Sequence, residues 1–524
     1  MSLRIYNALR KKKEEFSPLN DNQVKMYVCG VTLYDELHLG HARAAVIFDV
    51  IYRYLKHQGW QVKYVTNFTD VDDKMIDRAQ MLNLSIYQLA ERLMGEYSQQ
   101  MHALGVLPAL CYPRATEHLP EIIDLIKRLE RKGLAYVSEG DVFFRVKKFP
   151  DYGKLSGQTP SELSAGARIE INEKKEDPLD FALWKKSKKG EPTWDSPWGK
   201  GRPGWHIECS AMAMKYLGET IDIHGGGQDL VFPHHENEIA QSEGATGKTF
   251  ARFWIHNGLV TMSQAKMSKS TGNFLTLREA LRGYPGEIIR FFLLSAHYRS
   301  PLDYNQTSLK EASLALRRVH TFLRKVDDLA KPREDTPVQN EEQINQFDRE
   351  IDSNFDNFIQ ALNDDFNTPL AISAIFQLVK KANLFMEKVD LLNLASYNSL
   401  IKVRDRIRQM GQMLGLFQVK QQKESPSLES INELHQELAG IFKGKKPGGY
   451  FSTQIDQIKS LPPKQVIDLW VDYRNKLRRE RNWALADEIR SKLANLGIIL
   501  EDDKKGTTWR WSMRSRSDQE VADI

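Results

Sequence analysis

The stretch from Val24 to Thr66 restricts the fold more than any other part of the chain. Residues 24–31 (VKMYVCGV) are an apolar run of a length that suits a buried strand. A helix-period segment follows, apolar at Ala45, Phe48, Val50, Ile51 and Leu55. Asp35 or Glu36 can open that helix, and Gly59 stops it. Residues 61–66 (QVKYVT) read as a second strand. Strand, helix and strand in such close succession make a βαβ unit, which demands a parallel sheet covered on both faces. The fold class is therefore α/β, a doubly wound, Rossmann-like sheet. Such sheets bind ligands at the carboxyl ends of their strands, where a helix N-terminus offers free N–H groups to phosphate. His38-Leu39-Gly40-His41 falls at this junction. Two histidines three apart share one side of a first turn and can donate hydrogen bonds to a polyphosphate, while Gly40 lets a flat base approach the backbone. By itself an HxGH string fits two ordinary surface histidines as well.

The rest of the chain surrounds this unit. Helical patterns run over 72–104 and 117–132. Residues 140–204 are rich in Lys, Gly, Pro and Trp and read as an inserted, partly irregular subdomain. Strand signals return at 219–224, a helix at 234–243 and an apolar segment at 251–262. From 274 to 420 the pattern is mostly helical, with amphipathic stretches at 309–330 and 370–388. Polar segments at 331–345 and 418–429 look like linkers. The expected organisation is a split parallel sheet (1–135 and 205–265), an insertion (136–204) and a loop region (266–310). A helical bundle (311–420), a linker or extra helical segment (421–470) and a small mixed C-terminal domain (471–524) follow. No apolar run approaches the ~18 residues that cross a bilayer, which excludes a membrane transporter, and no membrane partner is expected. The N-terminus lacks the apolar core of a secretion signal. Three cysteines, Cys29, Cys111 and Cys209, are too few for a disulfide framework and point to a reducing cytoplasm.

A second string, Lys266-Met267-Ser268-Lys269-Ser270, lies late in the sheet half. Two lysines three apart on a Ser/Gly-rich loop can clamp a leaving pyrophosphate, most strongly as charge develops in the transition state. A lone KxxK is more often a solvated basic loop. Together and in this order, the two strings resemble those of the class I aminoacyl-tRNA synthetases. Longer strings are similar to the cysteinyl-tRNA synthetase family: CGVTLYDELHLGHAR (29–43), NFTDVDDK (67–74), PLDFALWK (178–185), GRPGWHIECSAM (201–212), DIHGGGQDLVFPHHENEIAQSE (222–243) and DDFNTP (364–369). The resemblance covers nearly the whole chain. Val31 and Leu39 stand where the family usually has Pro and Ile, and neither change removes a functional group. The resemblance implies that His38, His41, Lys266 and Lys269 are catalytic. It also implies that Gly40, Gly225, Gly226 and Gly227 approach ATP, with Mg²⁺ accompanying the nucleotide.

Cys29, Cys209, His234 or His235, and Glu238 form a donor set that suits Zn²⁺. His234 and Glu238, four apart, share a helix face, and His235 reaches Glu238 at i+3, so spacing leaves the histidine open. The resemblance implies Cys29, Cys209, His234 and Glu238 as ligands of one zinc that binds the substrate thiolate. Cysteine and serine are near-isosteres that shape separates weakly. Thr69, Trp205, His224 and Asp229 lie in matched strings and are expected as contacts of the amino acid's ammonium and carboxylate or of ATP. Cys111 has no part in this scheme.

The net charge is only +5, yet residues 471–516 hold 12 Lys and Arg against 7 Asp and Glu, an excess equal to that of the whole chain. Trp483, Trp509 and Trp511 interleave with these cations, a pattern that suits single-stranded RNA. Residues 481–509 resemble the family's anticodon-binding end, with Arg481, Trp483 and Asp487 as expected tRNA contacts. The implied activity is ATP-dependent activation of L-cysteine and its transfer to tRNA(Cys), by a protein expected as a monomer. Two alternatives compete with it: a ligase of cysteine to a small amine, and a non-catalytic zinc RNA-binding paralogue. The basic tail argues against the first and the intact HLGH and KMSKS strings against the second. Residues 430–463 look longer than the family's usual connection and have no assigned role.

Overall fold

The computed structural model describes residues 2–159, 162, 173–262, 265–266, 275–332, 341–388, 393–417, 463–495, 498–503 and 506–511. They fall into two compact units, Met1–Gln418 and Val419–Ile524.

The first unit is organised by a four-stranded parallel sheet. Its order is Ala251–Asn257, Ile221–Gly227, Gln23–Thr32 and Gln61–Thr69. The register of Gln23–Thr32 against Gln61–Thr69 shifts between Val28 and Val31. Gly30 sits in that irregularity, where a Cβ would lie 1.7 Å from the Asn67 carbonyl oxygen. An irregularity of this kind re-aims a neighbouring side chain, here Cys29.

The helix between the two strands runs Leu39–His57, not from Asp35 or Glu36. His38 is the N-cap. Its Nδ1 accepts the Gly40 N–H at 3.0 Å, while His41 Nδ1 accepts the His38 N–H at 3.3 Å. An imidazole acceptor thus does what an Asp or Ser usually does at this position. The helix ends at His57, with Gly59 at φ 92 just beyond it. Phe48, Val50, Ile51 and Leu55 are buried against the sheet, and Ala45 is half-buried.

The helical stretch 72–104 is two helices, Asp73–Met81 and Ile86–Ala103. Asn83 at φ 52 and a Ser85–Gln88 capping box divide them. Residues 140–204 are more regular than their composition suggests. Ala135–Ser138, Asp141–Phe144, Phe181–Lys186 and Gly201–Pro203 form a four-stranded antiparallel sheet. The strands are only three to six residues long, so no alternation could accumulate. Val142, Phe144, Leu183 and Trp184 share a core with the helices Leu119–Arg131 and Trp205–Leu217.

Four helices complete the unit: Gln306–Asp327, Glu341–Asn363, Thr368–Lys388 and Leu394–Leu414. The expected linker 331–345 is cut short, because Ile344 and Phe347 turn their apolar faces into the bundle from Glu341 onward. The expected linker at 418–429 and most of 430–463 lie outside the described residues. No helix among the described residues is long and apolar enough to cross a membrane.

The second unit pairs the helices Pro463–Arg479 and Trp483–Asn495 with an antiparallel hairpin, Ile498–Asp503 and Gly506–Trp511. Val466, Ile467, Trp470, Ile489 and Leu493 form its core with Ile498 and Leu500. Arg474 is buried and grips both oxygens of Asp502, each at 2.9 Å.

Candidate functional site

One cavity of about 240 Å³ opens at the carboxyl ends of the parallel strands. Cys29, Cys209 and His234 line it together with His38, Gly40 and His41. The capping geometry determines what the two histidines present. Both Nδ1 atoms accept backbone N–H groups, so the ring proton sits on Nε2, away from the helix. The rings stack at 3.8 Å with 20° between planes. The two N–H donors therefore belong to one rigid pair beside the positive end of the Leu39–His57 helix.

The sulfur cluster draws on four separate elements. Cys29 comes from the strand Gln23–Thr32, and Cys209 from the helix Trp205–Leu217. His234 comes from the tight turn Val231–His235, and Glu238 from the first turn of Glu236–Thr246. One donor atom from each lies within 4.8 Å of all the others. Cys29 Sγ is 3.1 Å from Glu238 Oε1, and His234 Nε2 is 3.2 Å from the same oxygen. A second set, Cys29, His224, His235 and Glu238, meets the same spacing. His234 is distinguished from His235 by its neighbours. His235 Nε2 stands 3.9 Å from Glu238, its Nδ1 is paired with His256 at 2.8 Å, and it does not line the cavity.

Protons within the cluster are shared unevenly. A hydrogen bond from the Cys29 thiol lowers Cys209 to about 6, despite burial. Burial and that same shared proton push Cys29 up. Burial opposes the charge of Glu238, but His224 and His234 hold its carboxyl well below the usual range. Burial likewise opposes protonation of His234, and Cys209 and Glu238 overcome it to raise the imidazole to about 10. These interactions favour negative charge on Cys209 and Glu238 and protons on His234 and Cys29. A divalent cation can replace those protons, and two thiolates, an imidazole and a carboxylate match the donors zinc takes.

The remaining expected residues divide. Thr69, Trp205, Gly227 and Asp229 line the cavity. The Trp205 ring lies 4.4 Å from His234 and is 37% exposed. His224 does not line the cavity. It is buried behind Glu238, bonded to Oε2 at 2.9 Å and stacked on Trp254 at 4.4 Å. Gly225 and Gly226 do not line it either. A Cβ on Gly225 would meet Phe48 at 2.2 Å, and one on Gly226 would meet His235 at 2.9 Å, so packing accounts for both. Lys266 lies on a two-residue strand, Ala265–Lys266, paired with Val260–Met262. Lys269 falls outside the described residues. Arg481, at φ 59, and Trp483 and Asp487 are all exposed in the second unit.

Several partners were not singled out from sequence. His206 Nδ1 meets His234 Nδ1 at 2.9 Å. Asn67 Oδ1 accepts the Gly30 N–H at 2.9 Å and lies 3.7 Å from Cys209 Sγ. Both sit inside the matched strings, next to Trp205 and two residues before Thr69, and that adjacency was the available signal.

A parallel sheet with an HLGH turn at its carboxyl edge and a helical bundle behind it defines a class I aminoacyl-tRNA synthetase fold. Residues 15–314 match the class I (C) tRNA synthetase catalytic domain, residues 357–418 the DALR domain, and residues 472–510 the cysteinyl-tRNA ligase anticodon binding domain. The cysteine–tRNA ligase of Geobacter metallireducens is 48% identical over 513 residues, covering 97% of this chain and 100% of the relative. That of Aquifex aeolicus is 47% identical, covering 97% and 99%. The chain belongs to the cysteine–tRNA ligase family. Among solved structures, Mycobacterium tuberculosis methionyl-tRNA synthetase with methionyl-adenylate shares the fold. Its TM-score is 0.57 at 15% identity, over 75% of this chain and 91% of that one.

Proposed function

We propose that the chain activates L-cysteine with ATP and transfers it to the terminal ribose of tRNA(Cys). The observation that carries this reading is the single cavity lined at once by the sulfur cluster and the HLGH turn. It brings a thiol-selective site within reach of a phosphate site. The cysteine carboxylate attacks the α-phosphorus of ATP, forming cysteinyl-adenylate and releasing pyrophosphate, so no covalent nucleophile is required of the protein. Its contribution is orientation and charge stabilisation.

His38 and His41 donate their Nε2–H groups to the phosphates, held in that tautomer by the helix cap. Lys266 and Lys269 neutralise the departing pyrophosphate, and Mg²⁺ accompanies the nucleotide. Gly40 and Gly227 give the nucleotide access to the backbone. Thr69, Trp205 and Asp229 hold the amino acid's backbone groups beside the cluster.

Cys29, Cys209, His234 and Glu238 would hold a zinc ion. Zinc there would supply a Lewis-acidic centre that favours the thiolate of bound cysteine over a serine hydroxyl. Arg481, Trp483 and Asp487 meet the anticodon, a role supported by their exposure and by the match of 472–510. The same match weighs against a ligase that acts only on a small amine. The reading also implies the cytoplasm, where thiols such as Cys29 and Cys209 stay reduced. Cysteine-dependent exchange of pyrophosphate into ATP tests it: exchange with cysteine is expected, and no exchange from folded, zinc-loaded protein would refute it.

A further inference from the structure

Arg43 stands two residues beyond His41, on the same helix, and is fully buried. Its guanidinium forms no ion pair among the described residues. Its partners there are four main-chain carbonyls. Nη1 donates to Gly258 and Leu259, both at 2.9 Å, and Nη2 donates to His297 at 3.2 Å and Ser300 at 2.6 Å. A buried cation without a counter-charge is costly, and an apolar side chain of similar length would fill the space without that cost. What the charge secures is therefore the question.

It secures two loops. Gly258 and Leu259 line the cavity, between Asn257 at the end of the edge strand and Val260 at the start of the next. Val260–Met262 pairs with Ala265–Lys266 on one side and Leu302–Tyr304 on the other. His297 and Ser300 belong to the loop before Leu302. The loops are packed backbone to backbone: the Gly258 N–H donates to the Tyr298 carbonyl at 2.7 Å, and a Cβ on Gly258 would lie 2.4 Å from the Ser300 oxygen. The sulfur end of the cavity uses none of these segments.

We propose that Arg43 is a positioning residue for the nucleotide. It fastens the cavity wall at 257–260, and with it the root of the strand pair that ends at Lys266, to the helix that carries His38 and His41. The phosphate donors and the Lys266 strand are then held in one frame, independently of the cysteine end. This rests on the reading that ATP occupies the HLGH side of the cavity.

The test compares Arg43→Met and Arg43→Lys with the parent in the full chain. Pyrophosphate exchange is measured with ATP and cysteine varied separately, ATP affinity is measured by titration, and melting checks the fold. Arg43→Met should lower kcat/KM for ATP by about 10²-fold, the scale of a small misplacement of reacting groups. The KM for cysteine should stay within about twofold. Arg43→Lys should recover part of the loss. If Arg43→Met does not fold, Arg43→Lys and Arg43→Gln read the same split. A rise in the KM for cysteine that matches the rise in the KM for ATP, or unchanged ATP parameters in a folded variant, would overturn the proposal. Absence of exchange in the parent would instead count against the function. ATP titration then decides alone: weaker binding in the variants supports the fastening role, and unchanged binding overturns it.

Discussion

At the sulfur end of the cavity, polar side chains are held by other polar side chains. Glu238 is gripped by His224, His234 by His206, and Cys209 by Cys29. At the HLGH end the partners are mostly main chain. His38 and His41 bond backbone N–H groups, and Arg43 bonds four backbone carbonyls. Under the proposed function, the difference follows from what each end must recognise. Telling sulfur from oxygen needs particular donor atoms at particular places, which only side chains supply. Holding a polyphosphate needs charge and N–H groups, which a helix terminus provides with little help.

The contrast predicts unequal mutational effects. Cys209→Ser should lower bound zinc and abolish cysteine-dependent exchange, read by metal analysis and the exchange assay; retained cysteine selectivity would break the distinction between the ends. His41→Ala should lower kcat by about 10²–10³-fold while leaving zinc content intact, as expected for a lost transition-state donor. For His38, Asn can keep the cap acceptor but not the Nε2 donor, so His38→Asn should keep the parent's melting temperature while lowering the rate. His224→Gln should weaken zinc binding by about 10–100-fold, the usual effect of losing a group that orients a ligand. The KM for ATP should not move, and a shift in it would mean that the two ends are coupled. Gly225→Ala should cost about 1–3 kcal/mol of stability, since its Cβ would overlap Phe48. An unchanged melting temperature with a raised KM for ATP would instead return Gly225 to the adenosine.

The βαβ unit was legible in the sequence, because a buried parallel strand leaves a continuous apolar run and an amphipathic helix leaves a strong period. The helix start was misread because His38 caps with an imidazole, and Asp35 turns its carboxylate to the neighbouring Glu36 N–H instead. The sheet in the insertion was missed because its strands are three to six residues long. At the site, donor chemistry and matched strings named Cys29, Cys209, His234 and Glu238. The supporting contacts were not readable: His224 behind Glu238, Asn67 beside Cys209, and Arg43 across to Ser300 join residues that only the fold brings together. Gly225 shows the reverse limit, a glycine inside a motif whose smallness is explained by a phenylalanine from another element.

The most direct test runs pyrophosphate exchange with cysteine and with serine side by side, on zinc-loaded protein and on the same protein after chelation. The account predicts exchange with cysteine alone, and its loss when the metal is removed. Exchange with serine at a comparable rate, or discrimination against serine that survives chelation, would contradict the claim that the sulfur cluster chooses the substrate.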